Sequence, residues 1–151
     1  MELWFTEEWL KGLRISVKVD SVVYSTQTEY QKLAIYDTKQ FGRMLVLDDV
    51  IQTTECDEYI YHECLAHVPM FAHPNPENVL IVGGGDGGTL REVLRHPTVK
   101  KATLVDIDGG VIEASKRFLH QWNSGFSDPR ANIIVGDGLE FVSNADSEYD
   151  V

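Results

Sequence analysis

Cysteine is scarce in this chain: Cys56 and Cys64 are its two thiols in 151 residues, eight positions apart and in no metal-ligand spacing. That excludes a secreted disulfide framework and a cysteine-based zinc site, and it predicts buried thiols in a reducing compartment. Long apolar runs are lacking too. No segment approaches the ~20 residues that span a bilayer, and the N-terminus has no signal-peptide layout. The expectation is a cytoplasmic protein with no membrane contact. Positive charge is the third shortage. Thirteen Lys and Arg against 24 Asp and Glu leave a net charge of −11, which speaks against the basic footprint that binds nucleic-acid phosphate. Internal repeats and low-complexity tracts are absent as well. The 43% hydrophobic and 10% aromatic content predicts a packed globular protein. By itself the acidic balance means only a soluble acidic surface.

The most informative stretch is Val79-Leu80-Ile81-Val82 followed by Gly83-Gly84-Gly85-Asp86-Gly87-Gly88. A short apolar strand runs into a glycine loop, and a helix begins near Thr89. Glycine at the mouth of a strand permits positive φ and close ligand approach. Gly83, Gly85 and Gly88 match the nucleotide-binding spacing G-x-G-x-x-G, with Asp106 about 20 residues on, where a ribose partner is expected. Asp86 sharpens the reading. In a dinucleotide enzyme this loop faces pyrophosphate, and two like charges ~4 Å apart repel by about 4 kcal/mol at an effective dielectric of 20. The loop is therefore suited to a ligand that is cationic at this point, and the net charge points the same way.

Residues 1–55 show β character. Ile15, Val17 and Val19 alternate with polar neighbours, Val22–Tyr24 and Leu33–Tyr36 are extended, and Asp48-Asp49 sits between two strands as a tight hairpin. A small antiparallel sheet is expected. From Asp57 to Ala72 the period becomes helical, with Tyr61, Leu65 and Val68 as one apolar set, Ile60 and Cys64 as another, and Pro69 as a kink or early end. Strands at 79–82, 102–105 and 133–135 then alternate with helices from about Thr89 to His96, from about Gly110 to Leu119, and from after the Gly136-Asp137-Gly138 loop to about Asn144, with a polar loop over 120–130. That alternation predicts a parallel sheet. Such sheets bind ligands at their carboxyl edge, where Asp86, Asp106 and Asp137 all fall. Glu148-Tyr149-Asp150-Val151 reads as the start of another strand, so the chain is expected to be a piece cut inside its α/β domain.

Each candidate has a plainer alternative. Asp106 can accept from ribose hydroxyls or cap the next helix, and Asp108 is better placed for the cap. Asp137 can accept from an adenine amino group, with Gly138 leaving its amide open, or it too can cap a helix; the residues leave both open. His62-Glu63 lacks the second histidine of a zinc-protease helix. Position 66 is alanine, and His67 comes at i+5, roughly 140° round the helix. No metal site is expected. Lys100-Lys101 reads as surface.

Together these blocks resemble the polyamine aminopropyltransferases, the spermidine synthases. The glycine loop 83–88 carries the resemblance, with Leu47-Asp48-Asp49-Val50-Ile51-Gln52-Thr53-Thr54, Asp57 to Glu63, His67-Val68-Pro69, Leu104 to Asp108 and Asp128-Pro129-Arg130. They run in the family's order along nearly the whole chain, as in the N-terminal half of a bacterial member. The resemblance implies a small β domain over 1–55, which mediates oligomerisation and contributes to the active site. It implies a Rossmann-like domain of class I methyltransferase type over 56–151, incomplete at its C-terminus. It implies transfer of an aminopropyl group from decarboxylated S-adenosylmethionine to putrescine, giving spermidine and methylthioadenosine, in a homodimer or homotetramer without metal or permanently bound cofactor. Gln31 would contact the nucleoside end of the donor, Asp106 its ribose, and Asp137 and Gly138 its adenine. Tyr61, His62 and Asp86 would face the amines. The family's catalytic base, an aspartate in an Asp-Ser motif, would follow Val151, so this stretch alone is expected to be inactive. The competing readings are a methyltransferase using intact S-adenosylmethionine, an NAD-dependent enzyme, and a non-catalytic assembly module. The acid at position 86 disfavours the first two, because each would bring an anionic group toward it.

Overall fold

The computed structural model describes residues 2–145 and 149–151; Glu148, the first residue of the expected last strand, lies outside them. Two compact units divide the chain, residues 1–58 and 59–151.

The first unit is antiparallel. β1 (Leu3–Leu10) and β2 (Leu13–Val19) form a hairpin, and β3 (Ser21–Gln27), β4 (Lys32–Thr38), β5 (Gly42–Leu47) and β6 (Val50–Thr54) form a meander in that order. The single sheet expected from the sequence is thus two. β1 carries no alternating pattern, because of its eight residues only Phe5 is buried. Its pairing with β2 brings Phe5 opposite Val17 and Leu3 opposite Val19. Phe5 and Val19 pack with Ala34, Met44 and Val46, and Glu7 of β1 accepts from the Ile51 amide at 3.0 Å. The β5–β6 turn is the expected tight hairpin. Asp48 and Asp49 both have positive φ, 47° and 63°, which is the primed-turn geometry that matches strand twist and that aspartate tolerates.

The second unit alternates helix and strand: α1 (Glu58–Ala72, its first residue at the unit boundary), β7 (Asn78–Val82), α2 (Gly88–Leu94), β8 (Lys101–Asp106), α3 (Gly109–Phe118), a 3-10 turn (Asn123–Ser127), β9 (Ala131–Val135) and α4 (Gly138–Asn144). The three strands are parallel in the order β7-β8-β9. On the other side of β7, Asp150 donates its amide to Asn78 O at 2.8 Å and Val151 O accepts from the Leu80 amide at 2.9 Å. Tyr149–Val151 therefore runs alongside β7 in the same direction, although it is not itself a regular strand. Val79, Ile81, Leu90, Val93, Ala102, Leu104 and Ile112 form the core with Ala66 and Met70 of α1. Among the described residues no helix is long and apolar enough to cross a membrane.

α1 corrects one expectation. Pro69 does not end it; the helix runs on to Ala72. The apolar residues of its pattern face outward, with Ile60, Tyr61, Leu65, Val68 and Phe71 all exposed, and the buried stripe is Glu58, His62, Ala66 and Met70. The helical period is as expected, and the buried side is the one opposite the apolar set. The thiols are corrected with it. Cys56 and Cys64 are both exposed, Cys64 on that outward side of α1.

Candidate functional site

The register of the parallel sheet brings three loops together at its carboxyl edge. Gly83 N donates to Val105 O at 2.7 Å, and Gly136 N to Asp106 O at 2.9 Å. Asp106 is held between them. Its Oδ2 accepts from the Gly85 amide at 2.8 Å and its Oδ1 from the Asp108 amide at 2.9 Å. One carboxylate thus clasps the β7–α2 loop to the β8–α3 loop. A Cβ at Gly85 would lie 2.8 Å from that same Oδ2, so the loop can close on Asp106 only with glycine there. The cap of α3 belongs to Asp108, which accepts from the Gly110 amide at 3.0 Å.

Asp86 stands at the tip of the glycine loop. Its Oδ1 accepts from the Gly88 amide at 2.7 Å and lies 3.2 Å from His62 Nε2. The His62 side chain is 1% exposed and the Asp86 side chain 18%. Both of these contacts fall on Oδ1, and the carboxylate is partly open to solvent. His62 lies directly over Gly88, where any Cβ would run into the imidazole ring. Gly88→Ala is therefore expected to push His62 off Asp86 and destabilise the chain by about 1–3 kcal/mol. Thermal melting measures the loss, and the His62 ring nitrogen shifts report the broken contact.

Asp137 caps α4, its Oδ1 accepting from Leu139 N at 2.7 Å and Glu140 N at 3.1 Å. The plainer role of this residue is thus present. The cap bonds bypass the Gly138 amide, and the glycine itself is required because Val82 occupies the space of its Cβ. Tyr61 is exposed, its ring edge-on to His62 at 5.4 Å between centroids. Gln31 lies in the first unit, half-buried at the β3–β4 turn, where its backbone exchanges hydrogen bonds with Thr28. His62 and His67 turn to different partners, Asp86 and Glu92. Among the described residues no three His, Cys, Asp or Glu side chains are grouped to hold a metal ion.

Two contributions escaped the sequence reading. Phe126, in the stretch expected to be a featureless loop, stands where a Cβ on Gly87 would be, 2.6 Å from its ring. Gly87 also has φ +89°, so both space and backbone require glycine there. The Asp106 clasp of Gly85 is the other; a carboxylate after a strand gives no sign that it is anchoring the neighbouring loop.

Residues 58–151 match the model of the spermine/spermidine synthase domain, and residues 3–55 that of the spermidine synthase tetramerisation domain. The chain belongs to the spermidine synthase family. It is 54% identical over all 151 residues to a polyamine aminopropyltransferase of Bacillus mycoides and 53% identical over 150 residues to that of Bacillus subtilis. It spans 55% and 54% of those two relatives' lengths, about half of each. Among solved structures it is similar to spermidine synthase from Thermotoga maritima, with a TM-score of 0.96 and 48% identity over 98% of this chain and 52% of that one. A spermidine synthase in complex with the transition-state analogue AdoDATO matches equally well, with a TM-score of 0.96.

Proposed function

We propose that this chain carries the donor- and amine-binding portion of an aminopropyltransferase that moves an aminopropyl group from decarboxylated S-adenosylmethionine to putrescine, releasing spermidine and methylthioadenosine. The transfer is a property of a protein of the relatives' full length. The observation that carries the reading is the Asp86 carboxylate, fixed through Oδ1 at the sheet's carboxyl edge and able to meet an ammonium with Oδ2. Ordinary S-adenosylmethionine ends in an amino-acid carboxylate, which this acid repels; the decarboxylated donor ends in a bare ammonium, which it binds. Selectivity thus combines attraction of one metabolite with rejection of the commoner one.

In this reading Asp106 accepts from the ribose while it clasps the glycine loop. Asp137 receives the adenine amino group on the oxygen its cap leaves over, and the Gly138 amide faces a ring nitrogen. Tyr61 lines the amine site, and His62 belongs to it through Asp86. Gln31 is assigned to the donor on family likeness alone. The reaction is an in-line attack of a deprotonated putrescine amine on the carbon beside the sulfonium, driven largely by holding two cations at attack distance among carboxylates. No metal and no permanently bound cofactor enters.

Residues 1–55 are proposed as the assembly domain of a homodimer or homotetramer, and 56–151 as the nucleoside-binding domain, acting in the cytoplasm. The β1–β2 hairpin exposes Leu3, Trp4, Trp9, Leu10 and Leu13. Phe5 and Val19 of the hairpin are covered by the meander, and a second copy covering these exposed side chains supplies the burial they lack.

Isothermal titration of a protein of that full length with each donor tests the reading. Tighter binding of the decarboxylated form is expected. A preference for the carboxylated form would overturn the proposal in favour of a methyltransferase.

A further inference from the structure

Away from the glycine loop, α1 meets the far end of α2 through a chain of ionisable groups that the proposed reaction does not use. Glu92 is fully buried. Its Oε1 accepts from Arg91 Nε at 2.7 Å and its Oε2 from Arg95 Nη1 at 2.8 Å. Burial alone would raise the Glu92 carboxyl, but the hydrogen bonds from Arg91 and Arg95 outweigh it and hold its pKa below the ordinary value. Oε2 also lies 3.2 Å from His67 Nε2, and His67 Nδ1 lies 2.9 Å from His96 Nε2. Phe71 rests against both imidazoles, 5.9 Å and 5.1 Å between ring centroids. Glu63 reaches Arg95 from α1 at 3.9 Å, and behind the pair Arg130, paired with Asp128, donates to the backbone carbonyl of His96.

Hydrogen counting restricts this arrangement. An ionised Glu92 requires a proton on His67 Nε2. With both rings otherwise neutral, His96 Nε2–H donates to the His67 Nδ1 lone pair and every group is satisfied. One added proton is tolerated, because the pair keeps a single N–H between its facing nitrogens. A second added proton puts N–H against N–H, and the contact must open.

We propose that His67 and His96 are positioning residues: a one-proton imidazole pair that latches α1 to the end of α2 and so holds His62, five residues earlier on α1, against Asp86. The link to Asp86 rests on the site proposed above; the latch itself does not. Burial, then the charge of His67 and that of Arg95, lower the His96 pKa, with Glu92 opposing. The native state therefore takes up its last proton later than the unfolded chain does, and this share of stability, complete above the ordinary histidine value, is lost as pH falls below it.

Amide hydrogen exchange of the full chain at pH 7.5 and 5.5 tests the latch, with rates corrected for intrinsic exchange. In the wild type, amides over residues 66–72 should lose about tenfold protection at the lower pH. His96→Gln keeps a donor toward His67 but cannot titrate, so its protection should be independent of pH. His96→Phe should lose protection at both values. The His62 ring nitrogen shifts should move with the loss. Equal acid sensitivity in wild type and His96→Gln would overturn the latch. Loss of protection with an unmoved His62 signal would overturn its link to Asp86. Exchange involves no ligand, so a failed latch leaves the donor-binding titration to decide the site separately.

Discussion

Asp86→Asn should weaken aminopropyl transfer by at least about 100-fold in kcat/KM in a protein of the relatives' full length, with little change in melting temperature. The substitution is isosteric. Its amide oxygen can still accept from the Gly88 amide and from His62, the two contacts that fix the native side chain. The other carboxylate oxygen is replaced, an anionic acceptor by a neutral donor. A hydrogen bond to a charged group contributes about 1.5–3 kcal/mol, and an NH2 group turned toward an ammonium adds a donor–donor mismatch. Together these reach about 2.7 kcal/mol, or two orders of magnitude. A second effect separates this account from simple loss of a contact. The native acid repels a donor that still carries its carboxylate, so the variant should bind intact S-adenosylmethionine better than the wild type does. Steady-state kinetics together with titration of both donors measure the two effects. Unchanged kcat/KM, or unchanged discrimination between donors, would rule out Asp86 as the amine-recognition group.

The sheet of the second unit was legible because its signals are local. A β-branched run, a glycine loop and a helical period follow one another three times, and Asp108 caps its helix as its position suggested. The Asp48-Asp49 turn was legible for the same reason. What escaped depends on partners far along the chain. His62 and Glu58 lie on the buried stripe of α1, and His62 has Asp86, twenty-four residues on, as its partner. Once a polar side chain is satisfied across the fold, hydrophobicity no longer tells which face of a helix is inside. That is why the apolar set Tyr61, Leu65 and Val68 lies on the outward face, with Cys64 exposed beside it. β1 was hidden for a related reason. Leu3, Trp4, Phe5, Trp9 and Leu10 cluster at its ends without alternation, and only its pairing with β2 defines an inner side. In the candidate site the carboxylates were found by position. Their anchoring, Asp106 on Gly85 and Asp86 on Gly88, follows from loop closure that spacing does not encode.

Arg130→Ala should destabilise the second unit by about 2–4 kcal/mol. Its guanidinium binds three backbone carbonyls where α2 ends: Nη2 donates to Leu94 O at 2.6 Å, and Nη1 to Val99 O at 3.3 Å and His96 O at 3.4 Å. The other side of the fork holds Asp128, Nε to Oδ1 at 3.0 Å and Nη2 to Oδ2 at 2.8 Å. Helix ends leave carbonyls without intrahelical donors, and removing this one side chain strips several of them at once and leaves a partly buried carboxylate without its cation. For a chain of 151 residues each kcal/mol lowers the melting temperature by roughly 2–4 °C, so a drop on the order of 4–16 °C follows. Arg130→Lys should recover only a part, because an ammonium cannot reproduce the planar fork. Acid dependence gives an independent check. Hydrogen bonds from Arg130 hold the Asp128 carboxyl down to about 2, from an ordinary 3.8. A carboxyl depressed in the folded state stabilises above its unfolded value, and that stabilisation disappears as pH falls from near 4 toward 2. Arg130→Ala removes the cause of the depression, so the variant should lose this part of the wild type's acid sensitivity while being less stable at neutral pH. Melting curves from pH 7 to pH 2 for the wild type and both variants measure it. Parallel pH profiles for wild type and Arg130→Ala would show that the fork does not carry the stabilisation assigned to it.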